Sequence, residues 1–171
     1  REYAATLQVI DCGSVGGTYD YVGVERHCII AGTANFVEQV AMTEAQCQQA
    51  MALGFDSANQ AFAQKASVYI AGEMGIGNTC SASAVACFLL NEPAEQLTGV
   101  GTGIREEQLI HKKNIINQAI QLHQNYVQKD AFKALCAVGG LEIAAMTGAY
   151  IRAAQLGLPM IVDGFISTIS A

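Results

Sequence analysis

The sequence contains only two prolines, and its seventeen glycines follow no period of three, so collagen-like and proline-rich architectures are excluded. It has no uninterrupted apolar run of about 18 residues, so no segment is expected to span a bilayer. Charge is sparse as well. Asp, Glu, Lys and Arg make up 14% of the chain against 51% hydrophobic residues, which is too apolar and too weakly charged for a disordered polymer. Nine Lys and Arg against fifteen Asp and Glu leave a net charge of −6. Nucleic acid binding requires a cationic face that displaces counterions, and these scattered basic residues do not supply one. Anionic membrane surfaces are disfavoured for the same reason. A small anionic ligand remains compatible, because backbone amides and a single lysine hold a phosphate locally.

The six cysteines are Cys12, Cys28, Cys47, Cys80, Cys87 and Cys136. They form no CxxC pair, and none stands at metal-ligand spacing from a histidine, so no metal site is expected. Cys47, Cys87 and Cys136 fall among apolar neighbours in predicted helices, where a reduced thiol packs as a small hydrophobe. This pattern predicts a reducing, cytoplasmic compartment. The 171 residues suit one domain with one sizeable core. The chain begins with Arg1, carries no secretory segment, and stops at Ala171 soon after a strand-like stretch. We therefore expect it to be part of a longer protein.

Leu7 to Ile10 followed by Asp11-Cys12-Gly13 reads as a buried strand running into a turn. Residues 13–35 read as a long loop with a short irregular strand near Cys28–Ile30. Thr43 with Gln46 forms a capping-box pattern, and behind it Cys47, Ala50, Met51, Gly54, Ala58, Ala61 and Phe62 recur at helical spacing. Ser67 to Ala71 is a second predicted strand, and Ser81 to Leu90 a helix of small residues. Further helices are predicted over Glu106–Val127, Ala131–Val138 and Leu141–Leu156, the last stopped by Gly157. Leu158 to Val162 is the third strand. Apolar strands alternating with helices predict an α/β fold, Rossmann-like in the broad sense, with a parallel sheet covered by helices on both faces.

In open parallel sheets, ligands collect beyond the carboxyl ends of the strands. Three predicted ends carry a carboxylate beside a glycine: Asp11-Cys12-Gly13, Gly72-Glu73, and Asp163-Gly164. The most informative segment is Gly75-Ile76-Gly77-Asn78-Thr79, where two glycines permit a sharp turn and the following helix start offers unpaired amides to an anion. Phosphate cradle and tight structural turn both fit it. It is not a P-loop, because no Gly-Lys-Ser/Thr follows, and Cys80 occupies the third glycine position of a dinucleotide fingerprint, which argues against a nicotinamide-dependent oxidoreductase. Lys112 shares a helical stripe with Ile116, Ala119, Ile120 and His123. It reads either as an anion contact or as a lysine that snorkels to the rim, with Lys113 as its competitor. Glu73 either points into a cleft, orienting hydroxyls or stabilising a developing cation, or caps a helix. Asp163 is a weaker candidate of the same kind, and Asp11 weaker again.

The run Gly72-Glu73-Met74-Gly75-Ile76-Gly77-Asn78-Thr79 resembles the signature of nicotinate-nucleotide–dimethylbenzimidazole phosphoribosyltransferases. Asp11-Cys12-Gly13, Gly32-Thr33-Ala34-Asn35 with Ala41-Met42, Gly99-Val100-Gly101, His111-Lys112-Lys113, Val138-Gly139-Gly140, Met146-Thr147-Gly148 and Gly157-Leu158-Pro159…Val162-Asp163-Gly164-Phe165 follow in family order. The resemblance implies transfer of phosphoribose from nicotinate mononucleotide to 5,6-dimethylbenzimidazole or a related base. The products are nicotinate and α-ribazole 5′-phosphate, used for the lower ligand of cobalamin. It implies inversion at the anomeric carbon, no metal or other cofactor, and a homodimer in the full-length enzyme. Gly75, Gly77, Asn78, Thr79, Gly101 and Lys112 would hold the phosphate, Glu73 would assist at ribose and base, and Asp163 would bind substrate. The sequence departs from the family at Cys80-Ser81, where threonine or serine followed by proline or alanine is usual. Members are roughly twice as long, and their principal catalytic glutamate lies in a Gly-Glu-Gly-type segment that has no counterpart after Asp163. The chain thus reads as the central nucleotide-binding portion of such an enzyme, inactive alone. The alternative is a truncated homologue that binds nucleotide without turning it over.

Overall fold

Some helix starts in this chain are written in side chains that satisfy the free backbone groups at the helix end. The computed structural model describes residues 5–16 and 21–171, so positions 17–20 of the predicted loop lie outside the described residues. Helix α1 (Glu44–Ala63) opens with the expected capping box: Gln46 N–H donates to Thr43 Oγ1 at 3.2 Å, and Thr43 N–H to Gln46 Oε1 at 2.9 Å. Helix α2 spans Thr79–Leu90 and is closed by Asn91 in the left-handed region. A short α3 (Ala94–Leu97) follows, then α4 (Glu106–Val127), α5 (Ala131–Val138) and α6 (Leu141–Leu156). Asp130 caps α5 by accepting from Lys133 N–H at 3.1 Å, and Gly157 ends α6 at φ +67°. The last element is α7 (Phe165–Ser170).

The α1–α6 seam is built from small residues. Cys47, Ala50, Gly54 and Ala58 of α1 are buried against α6 residues that include Ala144, Gly148 and Ala153. A Cβ on Gly54 would sit 1.7 Å from the Ala145 carbonyl oxygen, and one on Gly148 would sit 2.1 Å from that of Met51. The two backbones therefore run almost in contact. Contacts from Met51–Gly148 to Asn59–Arg152, the latter a 2.7 Å hydrogen bond, show that the helices point the same way. A second cluster joins Ala84, Val85 and Cys87 of α2 to Ile116 and Ala119 of α4 and to Ala137 and Val138 of α5. Lys112 thus begins a stripe whose later members, Ile116, Ala119 and His123, are buried as the spacing predicts.

The sheet departs from expectation. Among the described residues there are two separate two-stranded parallel sheets: β1 (Val9–Asp11) with β2 (Val24–Arg26), and β3 (Tyr69–Ile70) with β4 (Met160–Ile161). One continuous Rossmann-like sheet is not seen. The strands are shorter than predicted, and a groove of about 800 Å³ lies between β1 and β3. The strand expected at Cys28–Ile30 forms instead at Val24–Arg26, because the exposed polar residues pair at the edge while Ile29 and Ile30 turn onto the core. The chain still follows β1 past that strand, since Ile29 N–H donates to the Cys12 carbonyl at 3.0 Å.

The cysteines behave as read. All six are free, and Cys12, Cys47, Cys87 and Cys136 are buried. Burial pushes the Cys12 and Cys87 thiols up to about 11, which leaves them protonated and inert near neutrality.

Candidate functional site

The run from β3 into α2 makes one tight turn. Gly75 (φ +73°) and Gly77 (φ +85°) both take the left-handed region that side chains disfavour, so the turn depends on these two glycines. Asn78 is the N-cap of α2 but makes no side-chain cap, and the first helical bond is Ala82 N–H to the Asn78 carbonyl at 3.0 Å. The amides of Thr79, Cys80 and Ser81 consequently have no acceptor among the described residues. A helix start with three free amides and a positive dipole end attracts an anion.

Lys112 reaches this helix start from α4. Its Nζ donates to Thr79 Oγ1 at 2.8 Å and to the Gly99 carbonyl at 3.2 Å. The loop carrying Gly99 folds over the same point. A Cβ on Gly101 (φ +58°) would lie 2.9 Å from Thr79 Oγ1 and 3.6 Å from Lys112 Nζ. Three segments far apart in sequence thus converge on one ammonium, and Lys112 rather than Lys113 is the lysine there. Partial burial of Lys112 holds its pKa below the ordinary lysine value, while Cys80 nearby opposes that shift. Burial in turn raises the Cys80 thiol, with Lys112 pulling it down. A partly desolvated ammonium with no carboxylate partner among the described residues is suited to receiving an external anion.

Glu73 closes the turn. Its Oε2 accepts from the Gly75 N–H and from Asn78 Nδ2, the latter at 2.6 Å. The carboxylate therefore orders the glycine loop, and one oxygen is committed to it. Asn78 Oδ1 is left buried with no partner among the described residues, an acceptor awaiting a donor.

Glu73, Gly75 and Asn78 are joined by hydrogen bonds, and Thr79, Gly101 and Lys112 meet around the ammonium. Gly77 acts through the turn. Asp163 is exposed and lies two residues past β4, as Gly72 lies two residues past β3. It emerges at the same strand edge but bonds to none of the others. Asp11 is spent locally, accepting from Gly13 N–H, Ser14 N–H and Ser14 Oγ at 2.8–3.0 Å, with Arg26 3.8 Å away. These bonds, the Ser14 amide foremost, hold its carboxyl below the usual range. Since β1 pairs with β2 and not with β3, the three carboxylate ends do not share one sheet.

Two groups not singled out in the sequence stand out in the structure. The Gly99 carbonyl, which holds Lys112, carries no side-chain signal. Glu142, in the first turn of α6, lines the groove between β1 and β3 with Oε1 buried and unpartnered among the described residues. Its position behind Gly139-Gly140 was the available clue. Among the described residues no group of His, Cys, Asp and Glu is placed to hold a metal, and no helix is long and apolar enough to cross a membrane.

Comparison with known proteins fits this geometry. A family model described as phosphoribosyltransferase matches residues 1–171. A nicotinate-nucleotide–dimethylbenzimidazole phosphoribosyltransferase of Pseudomonas fluorescens (strain SBW25) is 48% identical over all of this chain and 48% of its own length. One from Pseudomonas fluorescens Pf-5 is 46% identical over the same shares. The crystal structure of CobT from Thermus thermophilus superposes with a TM-score of 0.86 at 35% identity, covering 95% of this chain and 48% of that one. The chain spans about half the length of the curated relatives it matches. With the whole chain matched and the glycine turn and its lysine assembled as described, this protein belongs to the nicotinate-nucleotide–dimethylbenzimidazole phosphoribosyltransferase family.

Proposed function

We propose that these residues form the nucleotide-binding domain of an enzyme that transfers phosphoribose from nicotinate mononucleotide to 5,6-dimethylbenzimidazole or a related base. The single observation that carries the reading is Lys112 Nζ resting on Thr79 Oγ1 at 2.8 Å beside the uncapped start of α2. A 5′-phosphate fits there, held by the ammonium and by the amides of Thr79, Cys80 and Ser81, with Gly101 allowing close approach. The names of the relatives supply the two substrates.

The reaction breaks the bond between C1′ and the nicotinate ring nitrogen and forms one between C1′ and a nitrogen of the incoming base. Nicotinate leaves with the electron pair, and the base loses its N–H proton. Positive charge develops on the ribose ring, and a fixed carboxylate such as Glu73 stabilises it without reorganisation. Asp163, at the same edge, is assigned to the ribose hydroxyls. The proton acceptor for the incoming base is not assigned to these residues, so the 171-residue chain is expected to bind nucleotide without turning it over. We further propose a cytoplasmic homodimer for the full-length enzyme, and a Rossmann-like parallel sheet as its complete architecture.

The test is to incubate the full-length protein with nicotinate mononucleotide and 5,6-dimethylbenzimidazole and to follow products by mass spectrometry. One nicotinate should appear per α-ribazole 5′-phosphate. Nicotinate riboside, which lacks the phosphate, should lose at least about 100-fold in kcat/KM, in line with about 3 kcal/mol for a charge-assisted phosphate contact. Equal use of riboside and mononucleotide would remove the phosphate cradle from the mechanism.

A further inference from the structure

A carboxylate only accepts hydrogen bonds, and burying one of its oxygens without a donor is costly, so such an oxygen marks a place where a donor arrives. Glu142 is such a group: its Oε1 is shut off from solvent and has no hydrogen-bond partner among the described residues. Helix α6 sets its position. Tyr69 in β3 packs with Ala153, Ala71 shares a cluster with Met146, and the Ala71 carbonyl accepts from Tyr150 OH at 3.3 Å, so α6 runs antiparallel to β3. Glu142 lies one helical turn before Met146, about 6 Å further along the axis at about 1.5 Å per residue. A strand rises about 3.3 Å per residue, so that distance corresponds to two residues beyond Ala71, the height of Glu73.

The same helix start abuts the end of β1, where a Cβ on Gly13 would lie 2.8 Å from Leu141 Cδ1. Burial, and after it the Glu142 charge, pushes the Cys12 thiol up. Glu142 therefore stands at the carboxyl ends of β1 and β3, lining the groove there with Cys12, Gly72 and Met146. Gly140 makes this position accessible. A Cβ on it would lie 2.6 Å from Glu142 Oε1 and 2.7 Å from Oε2, so only a residue without a side chain lets the carboxylate fold over its own helix start.

The substrate chemistry says which donor suits it. Near neutrality the phosphate and the carboxylate of nicotinate mononucleotide are anionic, and its ring nitrogen bears no hydrogen. Its hydrogen-bond donors are then the two ribose hydroxyls. Repulsion keeps a glutamate away from both anionic ends, which leaves the ribose between them, the part that becomes positive as the bond at C1′ breaks.

We propose that Glu142 is a substrate-binding residue whose Oε1 accepts a hydrogen bond from one hydroxyl of the nucleotide ribose. Asp163, two residues past β4, holds the other. The inference rests on the proposed transfer reaction and adds a contact to it. It makes the ribose a requirement of the enzyme, because a sugar lacking that hydroxyl leaves the carboxylate oxygen buried and unpaired. An N–H from chain outside these 171 residues is the competing donor, and its loss would act on every substrate alike.

The experiment measures kcat/KM of the full-length enzyme, unaltered and as Glu142→Ala and Glu142→Gln, with nicotinate mononucleotide and with its 2′-deoxy and 3′-deoxy analogues. The analogues differ in intrinsic reactivity, but this cancels when variant and unaltered enzyme are compared on one substrate. Glu142→Ala should lower kcat/KM about 10- to 100-fold for the mononucleotide, and less than about threefold for one of the two deoxy analogues. Glu142→Gln keeps an uncharged acceptor and should lose less, with the same dependence on that hydroxyl. Ratios between substrates are taken within one preparation, so a partly unfolded variant does not distort them, and Glu142→Gln carries the test if Glu142→Ala fails to fold. Losses equal within about threefold on all three substrates would overturn the proposal, in favour of a donor from elsewhere in the chain. Absence of turnover of the mononucleotide by the unaltered enzyme would overturn the transfer reaction itself, and this contact with it.

Discussion

Replacing Gly54 by alanine tests the α1–α6 seam, because two physical effects oppose each other there. In an isolated helix the change is favourable by about 1 kcal/mol, since glycine is the poorer helix former. In this protein the new Cβ would lie 1.7 Å from the Ala145 carbonyl oxygen and 2.8 Å from the Ala149 nitrogen, both backbone atoms that cannot rotate away. The helices must separate by more than an ångström to restore ordinary contact, which loosens Cys47, Ala50 and Ala58 together. Overpacking of this kind costs about 1–3 kcal/mol or somewhat more, so the steric term outweighs propensity. A net destabilisation of about 2 kcal/mol is expected. With a urea m-value of about 2 kcal/mol/M, the midpoint should fall by roughly 1 M. Ala52→Gly, on the exposed face of the same helix, is the control and should cost about 1 kcal/mol through propensity alone. If Gly54→Ala left the midpoint unchanged or raised it, the close helix approach described here would be wrong.

The lysine pair separates cradle from bystander: Lys112→Ala should weaken nicotinate mononucleotide binding about 10- to 100-fold, and Lys113→Ala by less than threefold, by calorimetry. The same titration against pH checks the ammonium, because a Lys112 pKa held below the ordinary value means affinity declines as pH rises, starting lower than for a solvated lysine, and Lys112→Arg should flatten that limb. Glu73→Gln in the full-length enzyme should lower kcat well over tenfold while changing the urea midpoint little, since glutamine still accepts from Gly75 and Asn78. Retained kcat would reduce Glu73 to a loop clamp.

How much of this was legible in sequence depends on whether the signal is local. The bounds of α4, α5 and α6 were readable because the apolar spacing and, for α6, Gly157 act within a turn of the helix end. So was the α1 start, where Thr43 and Gln46 satisfy each other's amides. The glycine turn ahead of α2 was readable for the same reason, since Gly75 and Gly77 state a backbone requirement on the spot. The sheet was not. Val24–Arg26 is only three residues long, with Glu25 and Arg26 exposed, so it carries no apolar strand pattern that would announce its pairing with β1. Nor could periodicity separate Lys112 from Lys113, since both fall within reach of the inward stripe. Only the meeting of α2, α4 and the Gly99 loop decides between them.

The small-residue seam also bears on how the chain is made. Helix α1 is complete about 80 residues before α6 begins and about 90 before it ends. At a synthesis rate of about 5–20 residues per second, its inner face waits roughly 4 to 18 s for its partner. During that interval a stripe of leucines would offer the ribosome's surroundings a sticky surface. Cys47, Ala50, Gly54 and Ala58 offer much less apolar area, and their attraction to α6 arises chiefly from the close backbone approach that only the native partner provides.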